Sequence, residues 1–454
     1  MVATPSSRRV PAVARALRTE VLRGSAVTTG VAATAGLVYG VFVLSPPGAG
    51  TWGGTWIGLG VALRSALQFA GPAVVAGAIW AAGRDRRRGM GELLGSTARP
   101  PWQRIVLGWG AMTLGATAGL VLVWGVAAVL VARVASYDGA RVWHPVVAAV
   151  SVGTFAAVGI VIGRFVPWRG TAPVAAIVVL YALAFLDSGQ VNDGSMWLSP
   201  ALPQWGARFL NLSTNGGVLE VLWFAALTGV FLLVAGARQR RWALLPAVMA
   251  AVVAIPLAQG PGQDRWPLSG AATREVCRGD APRVCVSQVS AYLLDDLTAR
   301  VDALWLRLGG LDGIGGVPTV IREAPQGEYS PDAQTVYLFS LDSDLRGRLE
   351  WGRLQDDNLI ANVVSLQCDQ TSGTSRFRTN APALATSAGR LLGGGSDARY
   401  RLASEAAQVS TRLSSALDAM TLTERRAWLG RYLTAARSTG PCDEKVLDAL
   451  AGIS

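Results

Sequence analysis

Histidine and lysine are almost absent, since His144 and Lys445 are the only examples among 454 residues. Charged residues make up 16% of the chain, against about 25% in an ordinary soluble domain. A single histidine excludes a zinc site built from several histidine ligands. The sequence also lacks a G-x-x-x-x-G-K-[ST] phosphate loop, a G-x-S-x-G nucleophile elbow and an H-E-x-x-H motif. We therefore expect no enzyme active site and no cofactor in this chain.

Hydrophobic residues make up 51% of the chain, and they are concentrated in its first part. Residues 1–259 hold 20 arginines and 7 acidic residues, a net charge of +13, whereas residues 260–454 hold 21 basic and 23 acidic residues, a net charge of −2. The long apolar runs exclude a disordered chain and a soluble nucleic-acid-binding protein, despite the basic pI. This change in composition predicts a domain boundary near residue 260.

The first part is predicted to be a polytopic α-helical membrane domain of six or seven transmembrane helices. A membrane span needs about 20 mainly apolar residues. Seven segments qualify or come close: 25–44, 65–83, 105–134, 146–163, 171–186, 218–236 and 242–259. The segments 146–163 and 171–186 are short for a span. Arg64 and Glu220 fall at the edges of these segments, where we expect them to reach the membrane surface.

The arginines predict the orientation of this domain. The basic tail 1–24 and the loops after the second, fourth and sixth spans hold 16 of its 20 arginines. Arginine favours the cytoplasmic side of a membrane, so the N-terminus is expected inside and, after seven spans, the C-terminal domain outside. If one weak segment does not cross, that domain lies inside instead. His144 falls in an exterior loop, where we expect it at the membrane interface.

All four cysteines lie in the C-terminal part, which fits an oxidising exterior. Four cysteines allow three disulfide connectivities. We favour Cys277–Cys285, which closes a small loop, and Cys368–Cys442, which ties the last helices together. Four buried thiols are an alternative, and a metal site is a weaker one. Residues 260–454 are predicted to form a soluble α+β domain, with Thr421 and Glu424 as a capping box for one helix.

The loop after the second span, 84–104, carries the clearest functional pattern. A run of arginines leads into Arg88-Gly-Met-Gly-Glu-Leu-Leu-Gly-Ser-Thr97, and Pro100-Pro101 then stops the helix. A solvated basic loop that only sets topology would contain such a run of arginines as well. The ten residues from Arg88 to Thr97 resemble the loop between the second and third spans of ABC-2 type transporter permeases, although Gly91 replaces a larger residue.

This resemblance implies a cytoplasmic coupling helix that contacts a separate ABC ATPase subunit, on which the ATP is bound. The implied contact residues are Arg87, Arg88, Gly89, Glu92, Leu93 and Leu94. It also implies a second permease copy or a paralogue as partner, and a bacterial plasma membrane as location. The resulting hypothesis is the permease subunit of an ABC-type exporter. The alternative is a membrane-anchored receptor or assembly protein whose exterior domain binds a ligand or partner.

Overall fold

The structure, a computed structural model, divides the chain into two compact units. The first comprises Met1–Pro47 and Thr51–Ser269, and the second consists mainly of Gly270–Ser454. The described residues are 12–23, 25–46, 51–89, 100–139, 141–187, 195–202, 207–237, 239–259, 266–307, 317–324, 334–338, 341, 343–344, 346–349, 353–366, 368, 375–394, 404–438 and 442–452.

The first unit is helical throughout its regular structure. Its α-helices are α1 Ala12–Arg23, α2 Ala26–Val38, α3 Trp56–Arg87, α4 Pro101–Ala132, α5 Trp143–Phe165, α6 Thr171–Asp187, α7 Thr214–Gly236 and α8 Leu244–Gln259. A π-helix, Tyr39–Leu44, continues α2. Short 3-10 helices occur at Ser195–Leu198, Ala207–Phe209 and Arg240–Ala243.

Six helical stretches among the described residues are long and apolar enough to cross a membrane, so the first unit is a multi-pass membrane domain. The segment predicted at 146–163 belongs to α5, whose 23 residues suffice for a span. The segment predicted at 171–186 coincides with α6, which is apolar but has only 17 residues. At 1.5 Å per residue α6 is about 26 Å long, slightly less than a typical hydrocarbon core of about 30 Å.

Helix α3 lies at the centre of the membrane domain and packs against α2, α4, α5 and α6. Small residues let these backbones approach closely, as is typical of membrane helices. A Cβ atom at Gly159 of α5 would lie 2.5 Å from the carbonyl oxygen of Val75 in α3. One at Gly115 of α4 would lie 2.7 Å from the carbonyl oxygen of Ala26 in α2. By contrast, a Cβ at Gly125 of α4 would meet no described heavy atom within 4 Å.

The second unit combines a small mixed sheet with helices. Its strands are β1 Glu275–Arg278, β2 Arg283–Ser287, β3 Val320–Glu323 and β4 Thr335–Leu338, in the order β1-β2-β3-β4. The pair β1–β2 is antiparallel and the other two pairs are parallel. Its α-helices are α9 Leu294–Arg307, α10 Arg353–Val364, α11 Ser375–Leu391, α12 Ser404–Ala419, α13 Leu422–Ala436 and α14 Glu444–Ala451. Strands and helices share one apolar core.

Two disulfides reinforce the second unit, with the connectivity favoured from the sequence. Cys277 and Cys285 face each other in the β1–β2 register and are bonded. The second disulfide, Cys368–Cys442, joins residues 74 apart in the sequence. The predicted capping box at the start of α13 is confirmed. The backbone N–H of Thr421 donates to Glu424, and this hydrogen bond lowers the pKa of the exposed Glu424 carboxyl.

Candidate functional site

The predicted coupling loop begins where α3 ends. Arg87 donates from Nη2 to the carbonyl oxygen of Trp80, 2.5 Å away, and its guanidinium lies 4.6 Å from the centre of the Trp80 ring. Arg88 is exposed, and Gly89 adopts a φ of +69°, a backbone conformation that favours glycine. The remaining predicted contact residues, Glu92, Leu93 and Leu94, lie outside the described residues. Of the six, Arg87 is thus the half-buried last residue of α3, and Arg88 and Gly89 are the exposed residues that follow it.

Arginines from several helices gather at this end of the membrane domain, which we call the arginine-rich end. Arg86 of α3 donates to the carbonyl oxygen of Arg164 at the end of α5, at 2.7 Å. Arg104 near the start of α4 and Arg240 before α8 also interact electrostatically with Arg164. Arg240 covers the Phe165 ring at 5.0 Å. Such clustered like charges favour an anionic neighbour, either acidic groups of a protein or lipid headgroups.

A buried ion pair joins α3 and α7 near their N-terminal ends, at the opposite end of the domain. Arg64 Nη1 lies 2.6 Å from Glu220 Oε2, and the two side chains are 0% and 1% exposed. Arg64 also donates from Nε to the carbonyl oxygen of Pro200 at 3.0 Å and from Nη2 to that of Ser199 at 3.2 Å. The prediction that Arg64 and Glu220 reach the membrane surface is therefore wrong. Buried charges in a membrane domain are costly and usually functional.

His144 lies beside this ion pair and is enclosed by protein, while its place at the membrane interface stays a prediction. It belongs to the first turn of α5 and is 0% exposed. Neither of its ring nitrogens has a hydrogen-bond partner among the described residues. The ring packs so closely on α3 that a Cβ atom at Gly60 would lie 2.5 Å from its Cδ2 atom. A buried polar group that no described residue satisfies can be satisfied by bound water or by another small molecule.

The segment 195–202, which we call the cover segment, lies over Arg64. Besides the two carbonyl groups bound by Arg64, it accepts hydrogen bonds at Leu202 from the Ser65 hydroxyl and at Leu198 from Trp223 Nε1, the latter at 3.1 Å. The cover segment thus contacts the ion pair directly. Each of these four hydrogen bonds joins a side chain of α3 or α7 to a carbonyl group of the cover segment.

A second segment, 266–269, holds an aromatic ring against this region, and we call it the strap. Its backbone pairs with the preceding chain, because Ser269 N donates to Phe209 O at 3.0 Å and Asn211 N donates to Pro267 O at 3.1 Å. Trp266 thereby lies between His144 and Trp197, with ring centres 5.2 and 5.8 Å away. The boundary therefore lies about ten residues later than the residue 260 predicted from composition, and the second unit starts directly after the strap.

Helix α3 is the direct link between the two ends. Arg64 and Arg87 are 23 residues apart in one helix, which corresponds to about 35 Å. Pro72 lies between them and removes the hydrogen bond that its position would donate to the carbonyl group of Gln68. Helix α3 therefore spans the distance from the arginine-rich end to the ion pair and lacks one backbone hydrogen bond at Pro72.

In the second unit Arg437 is buried as well, and it donates from Nη1 to the carbonyl oxygen of Val363 at 3.1 Å and from Nη2 to that of Thr335 at 2.6 Å, so it joins the end of α13 to α10 and β4. Glu323 is buried, but it accepts hydrogen bonds from Ser287 N at 2.8 Å and from Ser290 Oγ at 2.7 Å, so it joins β3 to the turn after β2. Asp295 pairs with Arg278 at the surface. Glu275 lies near Cys277 and Cys285 in a group with metal-ligand spacing. Both sulfurs of that group are in a disulfide, which removes them as thiolate ligands.

Sequence reasoning missed the ion pair because it placed Arg64 just before the second span, at 65, and Glu220 at the very start of the sixth span, at 218. Helices α3 and α7 begin earlier, at Trp56 and Thr214, so both residues lie more than one turn inside their helices. The available signal was one charge of each sign beside an apolar run, since such charges need a partner when buried. No protein-family model, curated protein or solved structure matches this chain.

Proposed function

We propose that this chain is the permease subunit of an ABC-type exporter in a bacterial plasma membrane, driven by a separate ATPase subunit. The observation that carries the proposal is α3, which joins the exposed arginine-rich end to a buried ion pair about 35 Å away. The resemblance of residues Arg88 to Thr97 to ABC-2 permeases indicates the partner, an ATPase subunit that would contact the loop between α3 and α4. A second permease copy or a paralogue completes the transporter.

The orientation follows from the positive-inside rule. In this proposal the arginine-rich end faces the cytoplasm, and α6 crosses the bilayer despite its length. The cover segment, the strap and the second unit then lie outside, where the two disulfides persist. A helix a few ångströms shorter than the bilayer core is accommodated by local thinning at a modest cost.

Co-purification tests the proposal. We expect the ATPase encoded beside this gene, identified by its phosphate-loop motif, to elute with the full chain in mild detergent. Glu92→Arg and the pair Leu93→Asp/Leu94→Asp should abolish this association, because they reverse a charge or bury carboxylates at the contact. Glu405→Arg, the same reversal at an exposed site in α12, is the matched control. Equal ATPase recovery with all variants, or none with the wild type, would refute the proposal.

The receptor or assembly hypothesis has one observation in its favour. The second unit has its own core and two disulfides and is attached directly to the strap, as expected for a domain that binds a partner outside the membrane. Under this hypothesis the cellular function survives Glu92→Arg and Leu93→Asp/Leu94→Asp. Under the permease hypothesis these substitutions abolish it, so a growth phenotype of the deletion strain, complemented with each variant, separates the two.

A further inference from the structure

The way Arg64 is bound indicates what kind of molecule this site would recognise. A guanidinium presents five N–H donors, and its Nε–Nη2 edge matches the two oxygens of a carboxylate or phosphate. Glu220 occupies Nη1, on another edge. The Nε–Nη2 edge is occupied by the carbonyl oxygens of Pro200 and Ser199, two successive acceptors of the cover segment. These neutral acceptors stand where the oxygens of an oxyanion would bind.

We propose that, when the cover segment withdraws, this edge of Arg64 binds an oxyanion, carboxylate or phosphate, carried on an apolar body. The inference rests on the proposed function, because it names the substrate class of the exporter. Withdrawal frees four donors that now bind carbonyl groups, namely two on the Arg64 guanidinium, the indole N–H of Trp223 and the Ser65 hydroxyl, so the incoming group must supply acceptor oxygens. A charged oxygen forms a stronger hydrogen bond with guanidinium than a neutral carbonyl does.

The apolar surroundings of Arg64 indicate that the ligand carries an apolar body next to its oxyanion. Buried apolar side chains from α3, the cover segment, the strap and the residues just before α7 form one cluster at this end, consisting of Ile57, Val61, Trp197, Leu202, Leu212 and Trp266. A chain or ring that replaced the cover segment would pack on those members that stay in place. The two ring nitrogens of His144, which no described residue hydrogen-bonds, add buried hydrogen-bonding groups to the same region. An inorganic ion alone would leave this apolar surface uncovered.

The strap controls access in this proposal. The Trp266 ring contacts His144 of α5 and Trp197 of the cover segment. The residues that follow Trp266 are hydrogen-bonded through their backbone to residues 209–211. Removing the Trp266 ring should loosen the cover segment without altering Arg64. Ligand binding should then become tighter and faster, because less of the binding free energy is spent on opening. A variant that simply misfolds would show the opposite effect.

Ligand titration tests the proposal with the purified full chain in phosphatidylcholine nanodiscs. The probe is decyl phosphate, with decanoate as the second oxyanion, and decanol, decyltrimethylammonium and inorganic phosphate as comparisons.

Arg64→Lys keeps the charge but loses the paired edge, so it should weaken decyl phosphate binding by at least about tenfold. Trp266→Ala should strengthen it. Arg141→Lys, an exposed arginine just before α5, should leave it unchanged. The probes also partition into the nanodisc lipid, but this contribution is the same for all variants and does not affect their comparison.

A second variant shows whether a loss of binding comes from the missing guanidinium or from misfolding. Arg64→Gln/Glu220→Gln removes both charges at similar volume, and it should elute as a single species and bind decyl phosphate no better than Arg64→Lys. Unchanged binding in both Arg64 variants, or equal binding of decyltrimethylammonium, would overturn the proposal. Nanodiscs with added phosphatidic acid distinguish a lipid headgroup, which would compete with decyl phosphate, from a soluble amphiphile. The titration contains no ATPase, so its outcome does not depend on the exporter function. A failed co-purification would refute that function whatever the titration shows.

Discussion

At the scale of single residues, the membrane domain contains groups that an apolar environment makes costly. Arg64 and Glu220 compensate each other at 2.6 Å, and the two cover-segment carbonyl groups satisfy further guanidinium donors. Removing one member of such a pair leaves an uncompensated buried charge, whereas removing both does not. The stability of this end therefore depends on the pair as a unit.

Glu220→Gln should destabilise the membrane domain by about 3–5 kcal/mol, because Arg64 stays charged and loses its carboxylate. Thermal unfolding of the purified protein in detergent measures the effect. Arg64→Gln/Glu220→Gln should recover most of the loss, since the two neutral amides can hydrogen-bond to each other. If Glu220→Gln unfolds at the wild-type temperature, the pair does not carry the stability assigned to it.

At the scale of elements, the helices of the membrane domain are held by close contact of small residues. Helix α4 carries four glycines at Gly110, Gly115, Gly119 and Gly125. Gly115 and Gly119 do contact α2, but Gly125 has no described heavy atom near its Cβ position, and Gly110 approaches only the end of Leu17. Glycine in a membrane helix therefore indicates a contact only where a neighbouring backbone is present.

Gly159→Ala and Gly125→Ala form a matched pair of substitutions. Both replace a glycine in a membrane helix by the same residue. The Gly159 change should destabilise the domain by roughly 1–3 kcal/mol, because the added methyl group meets Val75 O at 2.5 Å and Ala78 Cβ at 2.6 Å. The Gly125 change should be neutral or slightly stabilising. Equal melting temperatures for the two variants would contradict the tight α3–α5 contact.

The disulfides of the second unit differ in the length of chain they close. Replacing Cys368 and Cys442, which are 74 residues apart, by serine should cost roughly 4 kcal/mol, against roughly 2–3 kcal/mol for Cys277 and Cys285, which are 8 apart. The estimate follows from the entropy of the unfolded chain. Urea unfolding of each double variant of the full chain, followed by far-ultraviolet circular dichroism, gives the two values. The reverse order would show that native packing, and not loop closure, dominates.

At the scale of the whole molecule, the side of the membrane on which the second unit lies depends on whether α6 crosses. With α6 as a span the chain crosses seven times and its ends lie on opposite sides. With six crossings both ends lie on the same side. Positive charge and disulfides both favour seven crossings, although they are unrelated properties.

Labelling of whole cells decides between these topologies. A single cysteine placed at the exposed Leu422 of α13 should react with a membrane-impermeant maleimide in intact cells, because the second unit is expected outside. The native cysteines are paired and should not react. A cysteine at the exposed Arg88 should react only after permeabilisation. The opposite pattern at the two sites would place the second unit in the cytoplasm.

The sequence by itself determined the membrane domain, the approximate spans and the favoured disulfide pairing. Apolar runs, arginine positions and cysteine counts are local properties that need no knowledge of distant contacts. Only the tertiary structure placed Arg64 against Glu220, 156 residues later, and His144 against Trp266. Such partners meet because helices far apart in sequence pack together. The side chains expected to reach solvent from the helix ends are instead enclosed by the cover segment and the strap.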